Sequence, residues 1–81
     1  MERLLTPREL RTILARYDVG CDESRGKGSH WLFFRKFPEG TVSYPVPTTS
    51  KEVARVYVRQ CRRRFRLTEA DGVSDRDFYG D

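Results

Sequence analysis

The strongest constraint on how this chain folds is Trp31-Leu32-Phe33-Phe34, the most apolar stretch in a polar sequence. The aromatic run from His30 to Lys36 favours a strand, Pro38-Glu39-Gly40 marks a turn, and Thr41-Val42-Ser43-Tyr44 alternates polar with apolar. A β-hairpin is predicted, with Pro45 and Pro47 ending its second strand because proline has no amide hydrogen to give a ladder. Alternation sends Trp31 and Phe33 to one face and Leu32 and Phe34 to the other, the latter pair beside His30. Only one face can meet helices. The other is expected to be an apolar patch, open to a nucleobase or a protein segment unless Phe78 and Tyr79 from the tail cover it.

Helical patterns flank the hairpin. Thr6-Pro7-Arg8-Glu9 combines a cap, a first-turn proline and a capping box, and Leu10, Ile13, Leu14 and Tyr17 then form a narrow apolar stripe that Asp18 and Gly20 end. Residues 19–25 carry a weak strand signal, which an edge position would tolerate. Thr49-Ser50-Lys51-Glu52 reads as a second capping box, opening a helix that runs to about Phe65. On that helix Val53, Ala54, Val56, Tyr57, Val58, Cys61 and Phe65 fall in one sector. Arg55, Arg59, Arg62 and Arg66 fall in the opposite one, forming a line of positive charge on the exposed side, while Arg64 lies near the apolar sector, where either it snorkels or the helix is already ending. Thr68 to Gly72 and Ser74 to Asp77 read as short capped turns, the second presenting Phe78 and Tyr79. The fold class predicted is α+β in the order αβββα: one three-stranded antiparallel sheet, two helices packed on one face, and a short C-terminal helical turn.

Eighty-one residues suit a single domain, 1–81, with the tail 67–81 docked or partly flexible. No apolar run approaches the roughly 20 residues of a membrane span, and the N-terminus does not read as a secretory signal, so a cytoplasmic protein is expected. Cys21 and Cys61 are isolated in sequence and belong to no metal-binding or redox spacing, so no metal or other cofactor is implied. Net charge is +4, unevenly spread. Residues 51–66 hold seven basic and one acidic residue, and residues 67–81 hold one basic and five acidic. The basic helix suits a polyanion such as nucleic acid, and the acidic tail that follows is expected to shield it or cap its far end.

The candidate chemistry sits just before the aromatic strand, in Gly26-Lys27-Gly28-Ser29-His30. RNA can be cut without a metal if a base takes the proton of a ribose 2′-hydroxyl while cations stabilise the adjacent phosphate, and histidine titrates where that is useful. His30 is the base or the matching acid. Gly26 and Gly28 free the backbone to point amides at an anion, Lys27 adds charge, and Ser29 holds the phosphate or orients the imidazole. Arg35 adds charge if it shares that side of the strand. One histidine cannot act as acid and base at once, so cleavage would be slow.

The αβββα order, the Gly28-Ser29-His30 triplet leading into the second strand and the basic helix after the hairpin together resemble HicA-type toxins, small mRNA interferases. The resemblance runs from Thr6 to about Leu67. It implies a fold like that of double-stranded-RNA-binding domains, endoribonuclease activity on mRNA with His30 catalytic, and a HicB-type antitoxin as partner. Two other readings keep the fold without the chemistry: a non-catalytic RNA-binding module that grips phosphates with the glycine turn and Arg55, Arg59, Arg62 and Arg66, and a protein-interaction domain working through the apolar patch.

Overall fold

Thr6 and Glu9 form the reciprocal capping box: the Thr6 hydroxyl accepts from the Glu9 amide and the Glu9 carboxylate accepts from the Thr6 amide. It opens α1 (Pro7–Ala15) in the computed structural model, which describes residues 2–24 and 28–80. The helix buries Leu10, Ile13 and Leu14. Asp18 ends the connection at φ 62°, the left-handed setting in which a short polar side chain is tolerated. Three strands follow, β1 (Gly20–Asp22), β2 (His30–Phe37) and β3 (Gly40–Pro47), then α2 (Arg55–Arg64), a 3-10 turn (Glu69–Asp71) and α3 (Asp75–Tyr79). The sheet is antiparallel in the order β1-β2-β3, with Cys21 opposite Phe33 and Phe33 opposite Tyr44. The helices pack on one face of it. This is the αβββα arrangement of double-stranded-RNA-binding domains, as the hairpin and its flanking helical patterns predict.

Phe33 is 1% exposed, so the face carrying Trp31, Phe33, Arg35 and Phe37 meets the helices. His30, Leu32, Phe34 and Lys36 point away. On β1 the ring of Phe34 lies over Gly20, where an added Cβ would stand 2.4 Å from it. Glycine there gives the ring its seat.

β3 runs through Pro45 and ends at Pro47. The Thr48 amide donates to the Ser29 carbonyl at 2.7 Å, so even-numbered residues of β3 face β2 and odd-numbered ones face the free edge. Pro45 and Pro47 therefore direct their missing N–H groups outward. The ladder loses nothing, and the edge loses donors that another strand could use.

α2 starts later than its local signal predicts. Residues 49–52 form no helix; Val53 instead bridges Leu5, donating its amide to the Leu5 carbonyl at 2.7 Å, and both side chains are buried. That backbone pairing outcompetes the capping box, and the helix begins after Ala54 with no side-chain cap. Removing Val53 from the helix also rotates the buried face. Val58, Cys61 and Phe65 are buried, Val56 is 52% exposed, and Arg62, expected on the outside, is 7% exposed.

Arg62 is held by the tail. Its Nε donates to the Leu67 carbonyl (2.8 Å), its two terminal nitrogens donate to the Val73 carbonyl (2.7 Å) and the Asp75 carboxylate (2.5 Å), and its guanidinium stands 4.8 Å from the Phe78 ring centre. Phe78 and Tyr79 are buried on the helical side, Phe78 stacked against Tyr17 with ring centres 6.2 Å apart. They do not cover the outer sheet face. Arg16 and Arg3 donate to the Phe78 and Tyr79 carbonyls, closing α3 onto the N-terminal half of the chain.

The Arg62 hydrogen bond holds the Asp75 carboxyl below its ordinary value of 3.8. A lowered folded-state pKa means that the pair's contribution is present in full above 3.8 and is lost as pH falls through the folded value. The thermal unfolding midpoint of the native chain should therefore drop on acidification between about pH 5 and pH 2, and drop less in Asp75→Asn. Arg62→Met, which also strands two carbonyls, should cost about 3 kcal/mol or more in urea unfolding.

Candidate functional site

The turn into β2 is tied to the β3–α2 connection. Both the amide and the hydroxyl of Thr48 donate to the Ser29 carbonyl, at 2.7 and 3.1 Å. Gly28 sits at φ 40°, a backbone setting that favours glycine. Ser29 Oγ lies 3.1 Å from His30 Nδ1, and no described residue engages Nε2. This contact couples the two ring nitrogens. When Nδ1–H donates to Ser29, Nε2 keeps its lone pair and can accept a proton; when the hydroxyl donates to Nδ1, Nε2 carries the proton and is a hydrogen-bond donor. Gly26 and Lys27, the other members of the predicted turn, lie outside the described residues.

Arg35 does not join His30. It differs from His30 in parity, lies about 17 Å further along the strand, and faces the helices. There its guanidinium donates to the Phe65 carbonyl at 2.5 Å and stands 5.0 Å from the Phe37 ring centre. It holds the C-terminal end of α2. Sequence parity alone separates it from His30.

The arginines of α2 do not form one free line. Arg62 is buried. Arg59 makes a paired contact with Glu2 at 2.8 and 2.9 Å, and its hydrogen bonds hold the Glu2 carboxyl below the usual carboxylate range. Arg66, just past the helix at φ 60°, donates to Glu39 at 2.6 Å and stands 4.0 Å from the Phe37 ring centre, at the hairpin tip. Arg64 is the last residue of α2, so the helix ends where its side chain nears the apolar sector, and its exposed guanidinium stands 4.9 Å from the Tyr44 ring centre. Arg55 is exposed and makes no side-chain hydrogen bond or ion pair among the described residues, though its charge adds to that of Arg59 in lowering the Glu2 carboxyl. It begins α2 just after the connection that Thr48 ties to the histidine turn. The acids that take Arg59 and Arg66 come from elsewhere in the chain, beyond the reach of a helical-wheel reading.

Other cations enter that the motif reading passes over. Lys36 lies on the His30 face, and Lys51 stands in the connection to α2. Neither has a partner among the described residues, nor do Arg8 on α1 and Arg63 on α2. The outer sheet face carries a shallow hollow of about 190 Å³ lined by Asp22, Leu32, Phe34, Thr41 and Ser43. Burial pushes the Cys61 thiol up to about 12 and also raises Cys21, which leaves both as neutral thiols. Among the described residues no group of three or more His, Cys, Asp or Glu side chains is placed to hold a metal ion. No helix among them is long and apolar enough to cross a membrane.

No family model, curated protein or solved structure matches the chain.

The geometry separates structural arginines from free ones. Arg35→Met should lower stability by about 1.5–3 kcal/mol by uncapping the Phe65 carbonyl. Arg55→Ala should stay within about 0.5 kcal/mol of the native chain. Urea unfolding of the two variants tests the assignment.

Proposed function

We propose that this chain is an RNA-binding module of the double-stranded-RNA-binding type, and that its histidine turn cuts the RNA it holds, as in the HicA-type mRNA interferases it resembles. The binding half is carried by the fold, combined with a net charge of +4 and with Arg8, Lys51, Arg55 and Arg63, cations that make no side-chain hydrogen bond or ion pair among the described residues. Phosphates are the counter-charge those side chains suit. Arg59 and Arg66 join them by exchanging exposed carboxylates for phosphates, since surface ion pairs contribute little in water. Arg62 and Arg35 act indirectly, by holding the tail and the end of α2.

One contact favours cleavage over binding alone: Ser29 Oγ against His30 Nδ1, at the mouth of the glycine turn. In this reading Nε2 takes the proton of a ribose 2′-hydroxyl. The 2′-oxygen attacks the adjacent phosphorus, and the 5′-oxygen leaves with a proton from water, giving a 2′,3′-cyclic phosphate and a 5′-hydroxyl end. Lys27 and Ser29 are the groups assigned to stabilise the charge on the phosphoryl oxygens, with Gly26 and Gly28 as their glycine neighbours in sequence. With one imidazole the second proton transfer falls to a weaker donor, so turnover is slow. The reaction as written needs no metal or other cofactor. A HicB-like antitoxin is the protein partner this reading entails, and the uncovered Leu32 and Phe34 face is the surface open to it.

RNA affinity should fall steeply as salt rises, and Arg55→Ala should weaken binding across all sequences and flatten the salt dependence by about one unit on the log–log plot. In EDTA the native chain should cut RNA and arrest growth on induction, and His30→Ala should do neither. Binding without cleavage or arrest would reduce the reading to the RNA-binding module. Affinity indifferent to salt would overturn both halves.

A further inference from the structure

Beside the histidine turn, on the helical side of the sheet, Arg8, Arg11 and Thr12 of α1 face Glu23 and Trp31 across a pocket of about 270 Å³. We propose that this pocket receives one unpaired nucleobase of the bound RNA, stacked on Trp31 and read along its edge by Glu23; the proposal rests on the RNA-binding reading above.

Trp31 has the features of a platform. It is the only tryptophan in the chain, it is partly exposed, and Phe33 fixes its ring by an edge contact with centres 6.5 Å apart. Its indole N–H has no acceptor among the described residues and is not sealed from solvent, which leaves the polar end of the ring unused. The guanidinium of Arg11 approaches the ring but stands 5.8 Å from its centre, near the outer limit of a cation–π contact, so the indole face is not closely covered. A base that moves onto the indole can keep Arg11 as its second face, because guanidinium planes stack on bases as aromatic rings do.

Glu23 supplies the selectivity. Its carboxylate is half-exposed and paired with Arg11 in the free protein. An ionised carboxylate only accepts, so it favours a base edge that donates. Guanine offers two adjacent N–H donors there, and uracil offers one between two carbonyls. Arg8, without a side-chain partner among the described residues and lining the same pocket, is placed for the phosphate of that nucleotide. A base inside a duplex presents neither its face nor this edge, so the pocket demands an unpaired strand.

The single tryptophan makes the test local. Native chain is titrated with a fluorescein-labelled guanosine-containing tetranucleotide, with its all-uridine counterpart and with a short duplex, following label anisotropy for binding and Trp31 emission for stacking. The guanosine strand should bind best and quench Trp31 to saturation at the same midpoint as the anisotropy change, and the duplex should bind without that quenching. Arg11→Ala should weaken the guanosine strand about tenfold, the loss of one stacked face, and Glu23→Gln should bring the guanosine and uridine strands to similar affinity. Both are surface changes that leave the core intact. Binding without quenching, equal quenching by the duplex, or an unchanged guanosine preference in Glu23→Gln overturns the pocket and leaves the RNA reading standing. No anisotropy change with any strand overturns both.

Discussion

The burial of Phe33 sets everything else on the sheet. A strand exposes alternate residues to opposite faces, so once this ring is in the core the placement of every β2 neighbour follows. Trp31, Arg35 and Phe37 go inward with it, and His30, Leu32, Phe34 and Lys36 go outward. Burying a side chain of this size is worth about 1.5–3 kcal/mol, and a one-residue slip would forfeit that while sending His30 and Lys36 inward without partners. The position of the histidine is thus a consequence of packing one strand residue three places away.

Arginine use follows from the same geometry. The helices and the sheet enclose one core layer, and its margins expose carbonyls at the end of α2 and in the tail. Arg35 and Arg62 satisfy three of these with planar, multi-donor groups that a lysine would not reproduce. The basic character of the α2 region is therefore partly architectural. Counting charge along the helix overstates the free cation surface, because Arg62 is buried and Arg59 and Arg66 begin in ion pairs. Among the described residues, the cations outside such pairs lie at both ends of α2 and in the connection before it, on α1, and at Lys36 on the outer sheet face.

Much of this was legible in the sequence, for reasons that differ by element. α1 declares itself because its capping box and apolar stripe lie within one local stretch. The hairpin declares itself by aromatic alternation and a turn, and those patterns suffice for the αβββα order. The start of α2 is misread because the Leu5–Val53 bridge is non-local: residues 49–52 carry a sound local signal that a pairing 48 residues distant in the chain overrides. The inward turn of Arg62 is the downstream effect of that misreading, since a helix beginning at 50 would hold Val53 and Val56 in its core face. The passage of β3 through Pro45 to its end at Pro47 needs the register of the hairpin, which fixes which way each absent N–H points. In the candidate site, His30 and Ser29 are visible as neighbours, while their tie to Thr48 and the separation of Arg35 depend on strand pairing and parity.

The Thr48 contact gives the histidine turn a property that the motif alone lacks. Two hydrogen bonds to the Ser29 carbonyl fix the backbone immediately before His30, and Ser29 then fixes the ring through Nδ1. The imidazole is held from behind, by the segment that also leads into α2. In the cleavage proposed above, a lone general base would gain most from such orientation, because the chain has no second histidine to correct a poorly aligned proton transfer. The same segment leads into α2 at Arg55, so one short connection both holds the backbone before the imidazole and starts the basic helix, and the pairing of Val53 with Leu5 holds its far end.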